Sequence, residues 1–510
     1  MKRRDFLKMT SALPISLSMA GLAQKAYAAS PAYSNVTVPA APSVMPQVIN
    51  IFMYGGASEL AGNLSNIADI NMNSQNDYTA DNAFRSRFLD AATDNDPTNR
   101  SRRQDGQITA NNFWKEAGGT HMEDMLAARD MTVYRTLYKK ASPTRSHRES
   151  IFMSHKGTVD IENSPGIGSR LALMLLQHKS TYQGASLGDG STITRIEDLT
   201  LPFVSFEGDS QTYALDPDNT IPLELRGITM DRNFRNPYTR SINGPTTNSN
   251  DMIEALKGIR FEQLAANRSK YSAAWDGFEK RDQLEQKMSD LGALLNGTTG
   301  SAATVGVEYP ADGFGPQLEA AVTLAIHNPE TLYMAVGTPG LGGWDDHNNG
   351  IDSYPNRMNN LMESLKAAMA HIKAAQNHPG IRTINGNERT DTGNIIINVF
   401  GDFGRLVNLN DSGGWDHANN QNLYTFGGAS VRPANEAAVL GQVVGTTHRE
   451  GNKGTNNQYT VPDSDSLTWE PMAVASSIYQ YFGATNSPIL TADPVNLDGF
   501  ETFADKLPSI

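Results

Sequence analysis

The sequence predicts an α/β protein: a mostly parallel central sheet flanked by helices, with a helical insertion. Short apolar runs bounded by Gly, Asp or Pro recur along the 510 residues, and amphipathic helical patterns lie between them. With 39% hydrophobic and 19% charged side chains, the chain has enough apolar surface for one large core or two medium ones.

The first run, Val48 to Tyr54, ends at Gly55-Gly56, as a buried strand feeding a tight turn does. Similar runs follow at Met131–Arg135, Pro202–Phe206, Thr331–Val336 and Ile395–Phe400. Helical patterns alternate with them at Met122–Arg129, Gly168–Lys179, Gln317–His327, Asn356–Ala375 and Pro471–Phe482. Alternation of this kind covers both faces of a sheet with helices and gathers functional loops at the carboxyl ends of the strands. Two stretches break the rhythm. Residues 60–120, rich in Asn, Asp and Thr, read as a long decorated loop region. Residues 250–297 carry Ile253, Leu256, Ile259, Phe261 and Leu264, then Leu284, Met288, Leu291 and Leu295, near helical spacing. That pattern reads as an inserted helical hairpin, either a packing accessory or a partner-binding arm.

The amino terminus has its own character. Lys2, Arg3, Arg4 and Lys8 precede a moderately apolar run to Ala23, and Ala26-Tyr27-Ala28 stands ahead of Ala29. This is the pattern of a twin-arginine export signal over residues 1–28, so the twin-arginine translocase is an expected partner, and the expected location is the periplasm or beyond. The run is too short and too rich in Ser, Thr and Gly for a membrane span, and no later segment supplies one. Residues 29–46, rich in Ala, Ser and Pro, read as a linker, and one α/β domain is expected over 47–510.

Charge and cysteine content narrow the chemistry. The chain carries a net charge of −13, and −17 without its first 28 residues, which repels a nucleic-acid backbone. It has no cysteine, so disulfides, thiolate metal sites and cysteine nucleophiles are excluded. Any metal must sit on His, carboxylate or amide oxygen.

Strand-end loops concentrate such groups. Gly342-Gly343-Trp344-Asp345-Asp346-His347-Asn348-Asn349 follows the run at 331–336, and Gly414-Trp415-Asp416-His417-Ala418-Asn419-Asn420 repeats its chemistry after the run at 395–400. Carboxylates supply charge and neutral imidazole suits zinc, manganese or iron, so Asp345, Asp346, His347, Asp402, Asp416 and His417 offer one or two divalent cations a seat. Two cations about 4 Å apart could clamp the attacking and leaving oxygens of an ester displacement, which requires the two Asp/His clusters to lie within roughly 10 Å of each other. Arg405 suits bidentate binding of a phosphoryl or sulfuryl anion, or else a salt bridge to Asp402 or Asp411. In Ser142–Ser150, Ser146 or Thr144 can cap a helix whose start favours an anion, or serve as a nucleophile near the metal; His147, His155 and Arg145 add polar chemistry. His448 is a further candidate ligand. Trp344 and Trp415 either line a pocket or anchor packing.

Taken in order, these segments resemble an exported bacterial family catalogued as domain of unknown function 1501. Its members show Gly-Gly-Ala-Asp, Ser-His-Phe, Gly-Trp-Asp-Thr-His, Glu-Phe-Gly-Arg and Gly-Thr-Asp-His-Gly. The corresponding segments are Gly55-Gly56-Ala57-Ser58, Ser146-His147-Arg148, Gly343-Trp344-Asp345-Asp346-His347, Asp402-Phe403-Gly404-Arg405 and Gly414-Trp415-Asp416-His417-Ala418. The resemblance spans about residues 47–485 apart from the insertion. It implies the alkaline phosphatase and sulfatase-like superfamily, with Asp345, His347, Asp416 and His417, joined by Asp402, holding a divalent metal (Zn, Mn, Mg or Ca). Ser146 is implied as the hydroxyl at the anion site. The implied activity is hydrolysis of phosphate or sulfate esters, on a small anionic ester or a polysaccharide. Three departures stand out: Ser58 where the family has Asp, with Glu59 beside it; Asp402 for Glu; and Ala418 for Gly. Serine is a poor ligand for a hard cation, so Ser58 leaves open an inactive exported protein that binds metal or a surface on the same fold.

Overall fold

The computed structural model describes residues 36–58, 109–140, 143–215, 221–234, 286–295, 300–311, 313–406, 414–450, 459–486 and 501–509, besides Gly62, Leu284, Asn410 and Ser412. The expected export signal and most of the stretches 60–108 and 250–285 lie outside the described residues.

Strand β1 (Gln47–Met53) is buried along its whole length. Alternate side chains of a strand enter opposite layers, so a continuous apolar run is stable where both faces are covered. Ile49, Ile51 and Met53 enter one core and Val48 and Phe52 the other. The same division holds for β6 (Ile395–Gly401), whose Ile397 and Val399 face the first core while Ile396 and Phe400 face the second.

The remaining strands are β2 (Met131–Tyr138), β3 (Phe203–Ser205), β4 (Ile228–Thr229), β5 (Tyr333–Val336), β7 (Gly404–Arg405), β8 (His417–Ala418), β9 (Asn420–Gly427), β10 (Val443–Val444), β11 (Thr447–Glu450) and β12 (Tyr459–Pro462). Eight of them form the central sheet in the order β10-β2-β9-β6-β1-β5-β3-β4. Pairing is parallel except where β9 meets β6 and β2, so β9 alone runs against the rest. The sheet is therefore mostly parallel and mixed at one strand.

Helices α1 (Gly119–Ala127), α4 (Gly315–His327) and α5 (Gly350–Ala375) cover the first face, through side chains such as Met122, Leu318 and Leu365. Helices α3 (Ile167–Gln177) and α6 (Ala473–Tyr481) cover the second through Leu171, Leu175 and Ile478. Each fully buried Leu or Ile contributes roughly 1.5–3 kcal/mol against exposure. Helix α2 (His147–Lys156) follows β2 and starts at the carboxyl edge of the sheet.

Two expectations change in detail. Residues 36–46, read as a linker, include Val38, Val44 and Met45, which are buried against the body, and the Met45 N–H donates to the Ser186 carbonyl at 2.8 Å. The end of the stretch read as decorated loop carries Phe113 and Trp114 fully buried in the first core, Trp114 stacked on Tyr354 of α5 and Phe113 under the Arg135 guanidinium of β2. Of the expected helical insertion, residues 286–293 are helical apart from their unassigned neighbours, and Met288 and Leu291 are buried in the first core. Among the described residues no helix is long and apolar enough to cross a membrane.

Candidate metal centre

The carboxyl edge of the sheet collects four segments. β1 runs into Gly55-Gly56, β2 leads to α2, β5 leads to the 337–349 loop and β6 leads to Asp402. Because β9 is antiparallel, its amino end, preceded by β8, lies at this same edge. Gly55 adopts φ +112°, and a Cβ there would stand 2.3 Å from the Asp345 main-chain nitrogen, so only glycine lets the first and third segments approach. β7 pairs with β8, which sets Arg405 opposite His417.

Three imidazoles converge on one carboxylate. The Nε2 atoms of His347, His147 and His417 lie 3.2, 3.4 and 3.6 Å from Asp345 Oδ1. His347 Nε2 and His417 Nε2 are 2.9 Å apart. These four ligand atoms all lie within 4.8 Å of one another.

The rear nitrogen of each ring is held. His147 Nδ1 donates to Asp402 Oδ2 at 2.6 Å, His347 Nδ1 to Asp416 Oδ1 at 3.0 Å, and His417 Nδ1 to the Arg145 carbonyl at 2.9 Å. A carbonyl or carboxylate accepts, so Nδ1 carries the proton and each Nε2 presents a lone pair to the common point. Two lone pairs facing at 2.9 Å repel unless a cation lies between them. His147 Nε2 is buried with no hydrogen-bond partner. Donors about 2.0–2.2 Å from one ion stand roughly 3–3.5 Å apart, close to the four spacings of 2.9, 3.2, 3.4 and 3.6 Å above, while the group as a whole spreads to 4.8 Å.

The site residues inferred from sequence divide accordingly. Asp345, His347 and His417 face the common point. Asp402 and Asp416 stand behind His147 and His347, the outer position from which carboxylates orient metal-binding imidazoles. Asp402 is fully buried and also accepts the Gly55 N–H at 3.1 Å. Asp346 turns away to pair with Arg357. His448 lies on the β11–β12 hairpin with Asp463 at 2.8 Å, outside the group. Glu59 lies outside the described residues.

Arg405 is fully buried, and every nitrogen is engaged by protein. Nε donates to the Gly56 carbonyl at 2.9 Å, Nη1 to the Trp415 carbonyl at 2.8 Å, and Nη2 to Asp345 Oδ1 at 2.6 Å and to the Gly55 carbonyl. The guanidinium thus ties three loops together and partners Asp345; the one remaining Nη1 N–H stands 3.5 Å from His347 Nε2, so no pair of donors is left for a bidentate grip on an anion. Trp344 and Trp415 are packing anchors: both are fully buried against Tyr354 of α5, with ring centroids 6.0 and 5.7 Å away. Ser146 precedes α2, exposed, with its hydroxyl making no cap bond. Thr144 Oγ1 accepts from the Ser146 N–H at 3.2 Å and bonds Glu149.

Electrostatics favour a ligand-ready centre. Burial, reinforced by the Arg405 charge and the other imidazoles, pulls His417 down to about 4 against the support of the Arg145 carbonyl, which keeps its ring neutral. Burial raises Asp345, but the hydrogen bond and charge of Arg405 outweigh it and hold the carboxyl below its ordinary range. The Asp402 hydrogen bond raises His147, which works the other way: it favours the protonated ring, whose Nε2 proton a cation would have to displace.

His147, one of the polar neighbours in Ser142–Ser150 and not among the expected ligands, completes the group. Its signal was an imidazole at the first position of a helix that starts at the functional edge. Lys139 gave no signal. It is buried, donates to Ser150 Oγ at 2.6 Å, and desolvation brings its ammonium down to about 8 while Asp402 supports the charge. Together the fold and site define a three-layer α/β protein with a candidate three-histidine, one-aspartate cation centre at the carboxyl edge of its sheet. Comparison of the chain with protein-family models and with curated proteins finds no match.

Proposed function

We propose that this protein is an exported metal-dependent hydrolase of phosphate or sulfate esters, of the alkaline phosphatase and sulfatase-like type its motifs resemble. The observation that carries the metal reading is the convergence of three Nε2 lone pairs on Asp345 Oδ1, each ring locked from behind. Three nitrogens and one carboxylate favour zinc, manganese or iron over magnesium and calcium, which prefer all-oxygen shells. A cation held there would supply Lewis acidity and a bound water of lowered pKa.

The chain's own residues have separable roles. Asp402 and Asp416 orient His147 and His347, and Arg405 fixes Asp345. Three carboxylates (Asp345, Asp402, Asp416) stand against two cations (Arg405, Lys139), so a divalent ion brings the assembly to one net positive charge, which attracts an anionic ester. Ser146, uncommitted at the start of α2 beside His147, is the hydroxyl best placed to meet that anion as nucleophile or ligand. The sequence signal of the leader supports export by the twin-arginine route to the periplasm or beyond. A variant with Arg3 and Arg4 changed to Lys should stay in the cytoplasm.

A rival reading, an exported protein that holds metal without turnover, is favoured by Ser58 and by the full engagement of Arg405. Turnover of aryl phosphate and sulfate esters, with and without added Zn²⁺ or Mn²⁺, separates the two. Activity lost in a folded His417→Ala variant supports hydrolysis. Silence across a broad ester panel, with metal bound, supports the rival.

A further inference from the structure

Tyr54 stands beside the cation centre and is the one large apolar side chain exposed among the described residues, at 37%. It follows β1 directly. Its carbonyl accepts the Trp344 N–H at 2.9 Å, and the carbonyl of the next residue, Gly55, is held by the same guanidinium that holds Asp345.

The ring is pinned. Its hydroxyl lies 3.2 Å from His155 Nε2, and its edge meets Phe52 with centroids 4.8 Å apart at 71°. One side of the ring stacks on the His155 imidazole at 24° and 5.7 Å. An aromatic ring fixed at its backbone and its hydroxyl, and still partly open to solvent, loses no rotamer freedom when a second ring settles on it. Its electron-rich face attracts the edge of an aryl ring or the C–H face of a pyranose.

We infer that Tyr54 is a specificity-determining residue whose ring packs against a flat ring, aryl or pyranose, on the alcohol side of the ester presented to the cation centre. The inference deepens the hydrolase reading and rests on it for the word ester. An alcohol side that extends from the centre along the sheet edge toward β1 meets Tyr54, the one exposed large apolar side chain among the described residues.

The test uses the full chain loaded with zinc or manganese, and phenyl, pyranosyl and methyl phosphates as probes. In Tyr54→Ala, the ratio of kcat/KM for a ring-bearing ester over methyl phosphate should fall about 2- to 10-fold, chiefly through KM. Tyr54→Phe, which keeps the ring and loses the hydroxyl, should hold the ratio. Comparing the phenyl and pyranosyl arms identifies which ring is preferred. An unchanged ratio in Tyr54→Ala, or an equal fall in Tyr54→Phe, overturns the inference. Calorimetric binding of phenylphosphonate against methylphosphonate, which needs no turnover, keeps the two readings distinguishable. A ring preference that disappears in Tyr54→Ala without any ester turnover retains the platform and sinks hydrolysis; turnover without ring preference sinks the platform alone.

Discussion

Replacing Asp402 with Asn should weaken metal binding more than replacing Asp416 with Asn. Asp402 is fully buried and grips His147 Nδ1 at 2.6 Å, whereas the Asp416 side chain is 44% exposed and grips His347 at 3.0 Å. A buried hydrogen bond to a charged group contributes about 1.5–3 kcal/mol. At 1.4 kcal/mol per tenfold, Asp402→Asn should cost roughly 10- to 100-fold in affinity, the range found for groups that orient metal-bound imidazoles. Solvent screening leaves Asp416→Asn within about tenfold. Competition for Zn²⁺ against a chromophoric chelator at pH 7.5 measures both, with the apo-protein unfolding midpoint as a check that the variants fold. Equal losses, or a larger loss for Asp416→Asn, would falsify the assignment of Asp402 as the principal outer support.

Three further outcomes follow from the geometry. Arg405→Lys keeps the charge but loses the fork that joins three loops, so unfolding free energy should drop by about 3–5 kcal/mol in chemical denaturation; a loss under 1 kcal/mol contradicts the clamp. Gly55→Ala forces a Cβ toward the Asp345 nitrogen at φ +112° and should lower both zinc affinity and melting temperature, and a variant with wild-type values of both refutes the close approach. Burial pulls His327 down to about 4 and His371 down to about 3, below their unfolded value near 6.5. Their contribution to stability is complete above that value and shrinks as pH falls through the window from 6.5 toward 4, because only the unfolded chain takes up the protons. At pH 5 each should cost about 2 kcal/mol relative to pH 7, read by urea titration, and a flat profile over that interval rules the account out.

What could be read in advance follows from how each signal is encoded. The strands at 47–53, 131–138, 333–336 and 395–401 are continuous apolar runs because both sheet faces are covered. β9 hides its identity behind Asn420, Gln421 and Asn422, polar residues buried because they bond inside the fold, as Asn420 Nδ2 does to the Arg135 carbonyl at 2.9 Å. The paired Gly-Trp-Asp segments announced a cation centre, yet side-chain direction has no sequence signature. Asp345 and Asp346 are neighbours of one type, and one faces the common point while the other pairs with Arg357. Likewise nothing in the string Asp416-His417 tells which atom meets an ion and which stands behind an imidazole. Arg405 looked like an anion grip because its context is a loop; burial turned it into a clamp.

The single reversed strand has a consequence for how the protein is made. His147 is synthesised early, Asp345 and His347 some two hundred residues later, and His417 later still, arriving only as the chain turns back into β9. A nascent polypeptide therefore cannot assemble the four-donor group until most of the sheet has been made. Any ion this candidate centre holds would be captured late in biogenesis, and a product truncated before β8 would lack the fourth donor.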